Sequence, residues 1–457
     1  MNEGIPMMFH GSGGFGGPGV YMMSQLERAG HYPLDMLPVM GVGHNGGGTG
    51  RRWQHHRERP KDSVAFGYDS DDSSLSSNAS GTTKSGEKGG GRGNGSERPN
   101  GAQRGEGGGY SREWRGRKHQ RRFAPDRYLH TGYAFQVKYT PDDLLNGSKW
   151  DTLSQEIWDK FLKSQQTEET FKRKINLWRY LFITIKSIFP RYGLYVVGST
   201  MSGFGLDSSD VDLCLFIRPD GHLEPRAHAL LHLSHVLQYI KSFDPDAELI
   251  QAKVPIVKFR DTQHGLSVDL NCNNVVGIKN TSLLRCFAKS DWRVRPLVAL
   301  AKLWARAHDI NDARQRTLSS YSLTLMVLHF LQCGTHPAIL PSAYSAGAWE
   351  SRAANRTPLG ELFLQMLKYY AEFPYERMAV SVRAGCRVPV GECRAARAHK
   401  NDPHQWKLLC VEEPFDLTNT ARSVYDPDTF EKIVRTFRES YKRLSLGLRL
   451  ADAWPQR

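Results

Sequence analysis

Residues 192–217 read YGLYVVGSTMSGFGLDSSDVDLCLFI, and their pattern sets the fold. Tyr192–Val197 is a short run of aromatic and β-branched residues that predicts a strand. Gly198 and Ser199 follow at once and begin the Gly-rich stretch GSTMSGFG. A Gly-Ser turn that leads into a helix offers backbone N–H groups and a hydroxyl to phosphates. A second strand is predicted over Asp210–Ile217, DVDLCLFI. Asp210 and Asp212 stand two apart on it, so both point to one face. Val211, Leu213, Leu215 and Ile217 take the other face and can fill a core.

Aspartate is disfavoured in strands, and two on one face repel each other unless something positive lies between them. A divalent cation is the simplest candidate. Downstream, Leu266–Cys272 predicts another strand within LSVDLNCN, with Val268 and Leu270 opposed to Asp269. If the two strands are neighbours, Asp210, Asp212 and Asp269 converge. Three hard oxygen ligands favour Mg²⁺ or Mn²⁺. Two such ions about 3.5–4 Å apart would clamp the attacking and leaving oxygens of an in-line phosphoryl displacement. Read alone, D-V-D also fits the exposed edge of a sheet. The order strand, Gly-Ser, acidic pair and later third acid is the more specific signal.

Upstream, order is predicted to begin near Tyr139, with a helix in PDDLLNGSKWDTLSQEIWDKFLKS and a second over about Glu168–Phe189. Between the acids lie a predicted helix over about Arg226–Phe243, one or two strands in AELIQAKVPIVKFRD and a turn at Gln263–Gly265. This succession predicts a mixed or antiparallel sheet. After about Val275 the pattern is helical: SLLRCFAKSD, RPLVALAKLWARAHD, SSYSLTLMVLHFLQC and TPLGELFLQMLKYYAEF. Residues 1–135 are predicted to be a disordered tail. More than half of the 43 glycines fall before about residue 110, where the chain has too little apolar content to offset its entropy. The expected organisation is tail 1–135, N-terminal helices over 136–175 packed on the helical part, an α+β catalytic domain over 176–278, and a mostly helical domain over 279–445.

The 457-residue chain carries 61 Lys and Arg against 47 Asp and Glu, a net charge of +14 that suits a polyanion such as RNA. The basic cluster Arg112–Arg122 could serve as an RNA contact or a nuclear address, but such a run is more often only a solvated tail. Seven cysteines at irregular spacing, with no C-x-x-C, argue against a disulfide framework or zinc ribbon and for a reducing compartment. No secretory leader is read at the N-terminus. The longest apolar run, near Leu323–Leu331, is far short of the roughly 20 residues that span a bilayer. The expected setting is therefore the cytoplasm, with the nucleus as a second compartment and no membrane. His228, His232 and His235 share a helix face, but no Glu of a metalloprotease motif lies between them and no cysteine ligand is near in sequence. They are read as a polar flank.

GSTMSGFGLDSSDVDLCL resembles the signature of the DNA polymerase β-like nucleotidyltransferases. SVDLNCNN, GIKNTSLLR, LSSYSLTLMVLHFLQ, TPLGELFLQMLKYY and EEPFDLTNTAR resemble the branch with a PAP-associated helical domain, and within it the Gld-type cytoplasmic poly(A) polymerases. The resemblance covers about Tyr139–Ser440. It implies template-independent addition of AMP from ATP to RNA 3′ ends, messenger RNA above all, with RNA-binding adaptor proteins as partners. By this resemblance Gly198 and Ser199 hold the nucleotide phosphates. Asp210 and Asp212 bind metal, and Asp269 binds the catalytic metal and helps activate the RNA 3′-OH. Asn280 and Thr281 contact the sugar, and Lys302 contacts phosphate. Arg306 stands where the family has a second lysine, so a planar fork replaces a point donor. Ser320 touches phosphate or sugar, and Tyr321 stacks on the base.

The resemblance places Glu413 and Asp416 near the incoming base, with Asn419 next. Uridine-adding relatives carry a histidine there, which narrows the pocket and can donate to a pyrimidine carbonyl. The smaller Asn419 should admit a purine, and Asp416 can accept from the exocyclic amine of adenine. The expectation is ATP over UTP, with a shift toward UTP in Asn419→His. EEPFD also reads as a turn after the strand KLLCV, which Pro414 suits. A terminal uridylyltransferase on the same scaffold and an inactive RNA- or partner-binding scaffold are the competing readings. The intact set of three acids speaks against the second.

Overall fold

The computed structural model describes residues 132–217, 224–252, 254–343, 354–398 and 400–455. The predictions for the Gly-rich tail and for Arg112–Arg122 lie outside the described residues.

Helix α1 (Asp151–Ser164) and helix α2 (Glu168–Ile188) come first. The side chain of Thr167 caps α2 by accepting from Thr170 N at 3.1 Å, with Glu168 and Glu169 in the positive first turn. Strand β1 (Tyr192–Val197) matches the prediction to the residue, and β2 runs Val211–Ile217, one residue shorter. The short helix α3 (Ser199–Ser202) lies between them, and α4 (Pro225–Ile240) follows. Strands β3 (Glu248–Ile250), β4 (Ile256–Asp261) and β5 (Leu266–Cys272) complete a sheet in the order β1-β2-β5-β4-β3. Only β2 and β5 pair in parallel, which makes the sheet mixed. The alternation of these strands sends Leu213, Leu215, Val268 and Leu270 into the core, all essentially unexposed. Trp178 of α2 fixes that helix to the sheet by donating to Leu194 O at 3.0 Å.

Helices α5 (Val275–Ser290), α6 (Val294–Ala307), α7 (Ser320–His329), α8 (Leu359–Ala371) and α10 (Pro427–Gly447) form the second part. Helix α7 is buried on nearly every side, as its continuous apolar run requires. A small sheet of β6 (Met378–Ser381), β7 (Cys386–Pro389) and β8 (Val411–Glu412) sits here, in the order β7-β6-β8, with the short helix α9 (Val390–Ala395) after β7. Beyond the single strand read in KLLCV, this sheet was not expected. Strands of two to four residues are too short to show a period of two. The fold is α+β, and one continuous apolar core runs from Tyr133 to Ala453 through both parts.

Three predicted boundaries move. Tyr133 and Phe135, assigned to the tail, are 5% exposed. Tyr133 stacks on Phe171, while Phe135 lies where a Cβ on Gly203 (φ +91°) would come within 2.6 Å of its ring. The division at residue 175 falls inside α2, which packs on β1 and so belongs with the sheet; α1 alone packs on α6 and α8. The division at 278 falls inside α5, which spans the two parts.

Candidate active site

The acids meet because β2 and β5 run side by side. Asp212 pairs in register with Asp269, and Val197 and Lys258 continue the row on either side. Cross-strand partners share a face, so Asp212, Asp269 and Lys258 project together, with Asp210 one step before β2. Burial first, and then neighbouring Asp269, push the Asp212 carboxyl up to about 6. Such a carboxylate lacks compensating positive charge. Lys258 supplies part of it, donating from Nζ to Asp269 Oδ1 at 3.0 Å and to Asp210 Oδ2 at 3.4 Å. Ligand type, shared face and net negative charge fit a hard divalent ion. Among the described residues no three His, Cys, Asp or Glu side chains stand close enough to hold an ion in this arrangement.

Gly198 has φ +68°, and a Cβ there would collide with the Asp212 carboxylate, so only glycine brings the turn this near. Ser199 N donates to Asp212. Gly198 N donates to Thr281 Oγ1 at 2.8 Å, and that hydroxyl donates onward to Gly277 O at 2.7 Å. This differs from the expectation on both sides. The Gly198 N–H is already engaged, and Thr281 positions the turn.

The far end of α3 is held by side chains that the sequence reading passed over. Thr200 O accepts from Gln166, Met201 O from Arg285, Gly203 O from Arg295 and Phe204 O from Lys302, at 3.1, 2.9, 3.0 and 2.9 Å. Three of these donors are cations, on carbonyls at and just beyond the end of α3. Lys302, expected on phosphate, is 5% exposed and brought down to about 8 by burial, with Arg306 adding to the shift. It anchors the loop and has two further N–H donors. Arg306, one turn on, is exposed. Behind the turn, Lys174 donates to Gln166 Oε1 at 3.0 Å, held at about 8 by burial and supported by the charge of Asp212.

The base-side residues form a second cluster. Tyr321 Oη donates to Glu413 Oε1 at 3.2 Å. Burial raises the Glu413 carboxyl to about 7 and drives the Tyr321 hydroxyl well above its usual value. Asn280 hydrogen-bonds to both, while its Oδ1 is buried without a partner. An orphan acceptor beside Thr281 is what a ribose hydroxyl would satisfy. Ser320 Oγ donates to Asn311 Oδ1 at 3.1 Å. Glu413 Oε2 accepts from Phe415 N and Asp416 N at 2.7 and 2.5 Å, and Asp416 Oδ1 accepts from Thr418 Oγ1 at 2.7 Å. Glu413 therefore orients Tyr321 and the turn, and Asp416 remains the partly exposed acid.

The Asn419 amide is committed to the backbone of its own loop. The side chain is 1% exposed. Oδ1 accepts from Val411 N and Ala421 N at 3.0 and 2.9 Å, and Nδ2 donates to Gln405 O and Leu409 O at 2.9 and 3.0 Å. All four valences go to backbone, so the amide cannot read a base and its role is structural. His232 lies between His228, Nε2 to Nε2 at 3.2 Å, and the Tyr192 hydroxyl, a paired flank. Of the residues missed, Lys258 had a signal: Val257 and Phe259 face the core, so Lys258 must face the other way, but its partner could be named only once β4 was known to lie beside β5.

Comparison with known proteins finds matches over both parts of the fold. Residues 153–289 match the family described as "Poly(A) RNA polymerase, mitochondrial-like, central palm domain", and residues 358–419 match "Cid1 family poly A polymerase". "Poly(A) RNA polymerase gld-2 homolog A" of Drosophila melanogaster is 44% identical over 342 residues, 70% of this chain and 25% of that protein. The chain thus spans about a quarter of the length of that relative. The solved "structure of GLD-2/RNP-8 complex" is similar with a TM-score of 0.58 and 38% identity, over 67% of this chain and 98% of that one. A Cid1 poly(U) polymerase solved with Mg 3′-dATP bound is 25% identical with a TM-score of 0.55, over 63% of this chain and 93% of that one. On its motifs, its fold and these likenesses, the chain belongs to the Gld-2 family of poly(A) RNA polymerases.

Proposed function

We propose that the protein is a template-independent polynucleotide adenylyltransferase that extends RNA 3′ ends from ATP. The observation that carries this reading is the registered row of Asp212 and Asp269, with Asp210 beside it, against a turn that only Gly198 can form. In the reaction the RNA 3′-oxygen forms a bond to the α-phosphorus, the bond to the β-phosphate oxygen breaks, and pyrophosphate leaves. Ser199 orients the phosphates with its hydroxyl. Asn280 offers its orphan oxygen to the ribose, and Tyr321, held by Glu413, presents its ring to the base. Asp210, Asp212 and Asp269 would hold divalent metal, Mg²⁺ or Mn²⁺, which supplies Lewis-acid stabilisation of the charge on the attacking and leaving oxygens. Magnesium bound with an adenine nucleotide in the solved poly(U) polymerase supports both that ion and a base site wide enough for a purine. The names of the matched relatives support ATP as the nucleotide.

Incubation of the purified protein with a short RNA and each nucleoside triphosphate in turn should give a ladder with ATP, and none with Asp269→Ala. Equal extension by UTP would move the reading to a uridylyltransferase, and full activity of Asp269→Ala would remove the metal account. We also infer an RNA-binding adaptor, by analogy with the relative solved as a complex. RNA tethered to the protein through a fused RNA-binding peptide should be extended faster than free RNA; equal rates would dismiss the adaptor. The cytoplasm is our proposed compartment, since all seven cysteines stand as free thiols, which suits reducing conditions.

A further inference from the structure

We propose that Lys258 is the resident counter-cation of the three catalytic acids, bridging Asp210 and Asp269 until a divalent ion displaces its ammonium. The inference rests on the metal reading of these carboxylates and goes beyond it, by naming the group that competes with the ion.

The register puts Lys258 there. It is the cross-strand partner of Asp269, which is itself the partner of Asp212, so one row of the sheet runs acid, acid, lysine. Nζ lies 3.0 Å from Asp269 Oδ1 and 3.4 Å from Asp210 Oδ2. One ammonium therefore spans the acid that precedes β2 and the acid on β5. These two oxygens are not ordinary surface partners, because both belong to the set expected to hold metal. A magnesium ion sits about 2.0–2.1 Å from its oxygen ligands. An ion bound to these two oxygens would be pressed against a like charge, so metal entry requires the lysine to leave. Its flexible four-carbon stem permits that. The other charges that act on the row are Asp212 and two lysines, Lys174 engaged with Gln166 and Lys302 engaged with Phe204 O, neither of which bridges the acids. With Lys258 in place the metal-free acids are partly neutralised and spaced for an ammonium. Without it they are bare, and they gain more from a divalent ion.

The test is Mn²⁺ binding to the full chain without nucleotide, by calorimetry and by the loss of the free-ion resonance signal. Lys258→Met and Lys258→Gln should bind Mn²⁺ at least about tenfold more tightly than the unaltered protein, a difference near 1.4 kcal/mol. Lys258→Arg should stay near the unaltered value, and Asp269→Ala added to Lys258→Met should abolish the gain. In metal-free buffer Lys258→Met should melt lower, and Mn²⁺ should restore more stability to it than to the unaltered chain. Far-UV spectra and melting curves report the folding of each variant. If both neutral variants fold and bind Mn²⁺ no more tightly, the proposal is overturned and Lys258 is a positioning group for Asp269. If no variant and not the unaltered protein binds Mn²⁺, the metal reading falls with it. Tightening in the neutral variants that persists after Asp269→Ala also overturns the proposal, because the ion would then be bound elsewhere.

Discussion

At the scale of single residues, the site depends on groups held in uncommon states. Gly198 works because it lacks a side chain: the Asp212 carboxylate occupies the space a Cβ would need. Glu413 is the clearest titrating case. Burial raises its carboxyl to about 7 from an ordinary value near 4.5. A carboxylate whose folded pKa is raised favours the folded state most at pH below its unfolded pKa, and that contribution is lost as pH rises through the folded pKa. The loss from Glu413 therefore falls between pH 4.5 and 7. Glu413→Gln keeps the geometry, because the amide oxygen can accept from Phe415 N and Asp416 N while the amide nitrogen donates to Tyr321 Oη. We expect the Gln variant to gain melting temperature on the unaltered protein from pH 5 to about pH 7, with the advantage levelling off above that. Melting curves that stay parallel across that range would show that Glu413 is ionised throughout.

At the scale of elements, the stretch from β8 to Thr420 is a loop whose polar side chains serve its own backbone. Asp416 accepts from Thr418, Glu413 from Phe415 and Asp416, and Asn419 closes the loop with four backbone bonds. Asn419→Ala leaves buried amide and carbonyl groups without partners, at about 1–3 kcal/mol for each unsatisfied group. We expect a loss of about 3 kcal/mol in urea unfolding, with the ratio of ATP to UTP use unchanged in the surviving folded enzyme. Asn419→His should be destabilised likewise, since an imidazole cannot make four such bonds. A variant that keeps full stability and switches to UTP would restore the amide as a base reader.

At the scale of the molecule, two parts share one core, and their junction is polar. Gln165 bridges to Leu206, Arg295 reaches Gly203 O and Gln165, and Lys302 reaches Phe204 O. Tyr133 and Phe135 close the same junction from the N-terminal side, with the guanidinium groups of Arg285 and Arg295 5.1 and 5.2 Å from the centre of the Phe135 ring. Removal of residues 1–131 should leave the melting temperature and the extension rate unchanged, because that composition builds no core. Removal through Val137 takes away both aromatic rings, and a loss of about 3 kcal/mol or more is expected, as for truncation of a buried Phe. Equal melting of the two truncated chains would show that the rings contribute nothing to the junction.

Local pattern in the sequence determined a good deal about this protein. Pattern in YGLYVV, DVDLCLFI and LSVDLNCN gave β1, β2 and β5 within a residue, because the face of each strand that meets the core must be apolar. The acids stood out for the converse reason: charge in a strand is costly unless compensated, so Asp210, Asp212 and Asp269 were legible as candidates before any fold was known. What pattern could not supply was partnership between distant segments. Register between β4 and β5 brings Lys258 to the acids, the folding of α5 over the turn gives Thr281 to Gly198, and the closing of a loop commits the Asn419 amide to backbone groups. A hydrogen bond or ion pair depends on positions to within tenths of an ångström, and segments far apart in the chain acquire those positions only when the core that joins them has packed.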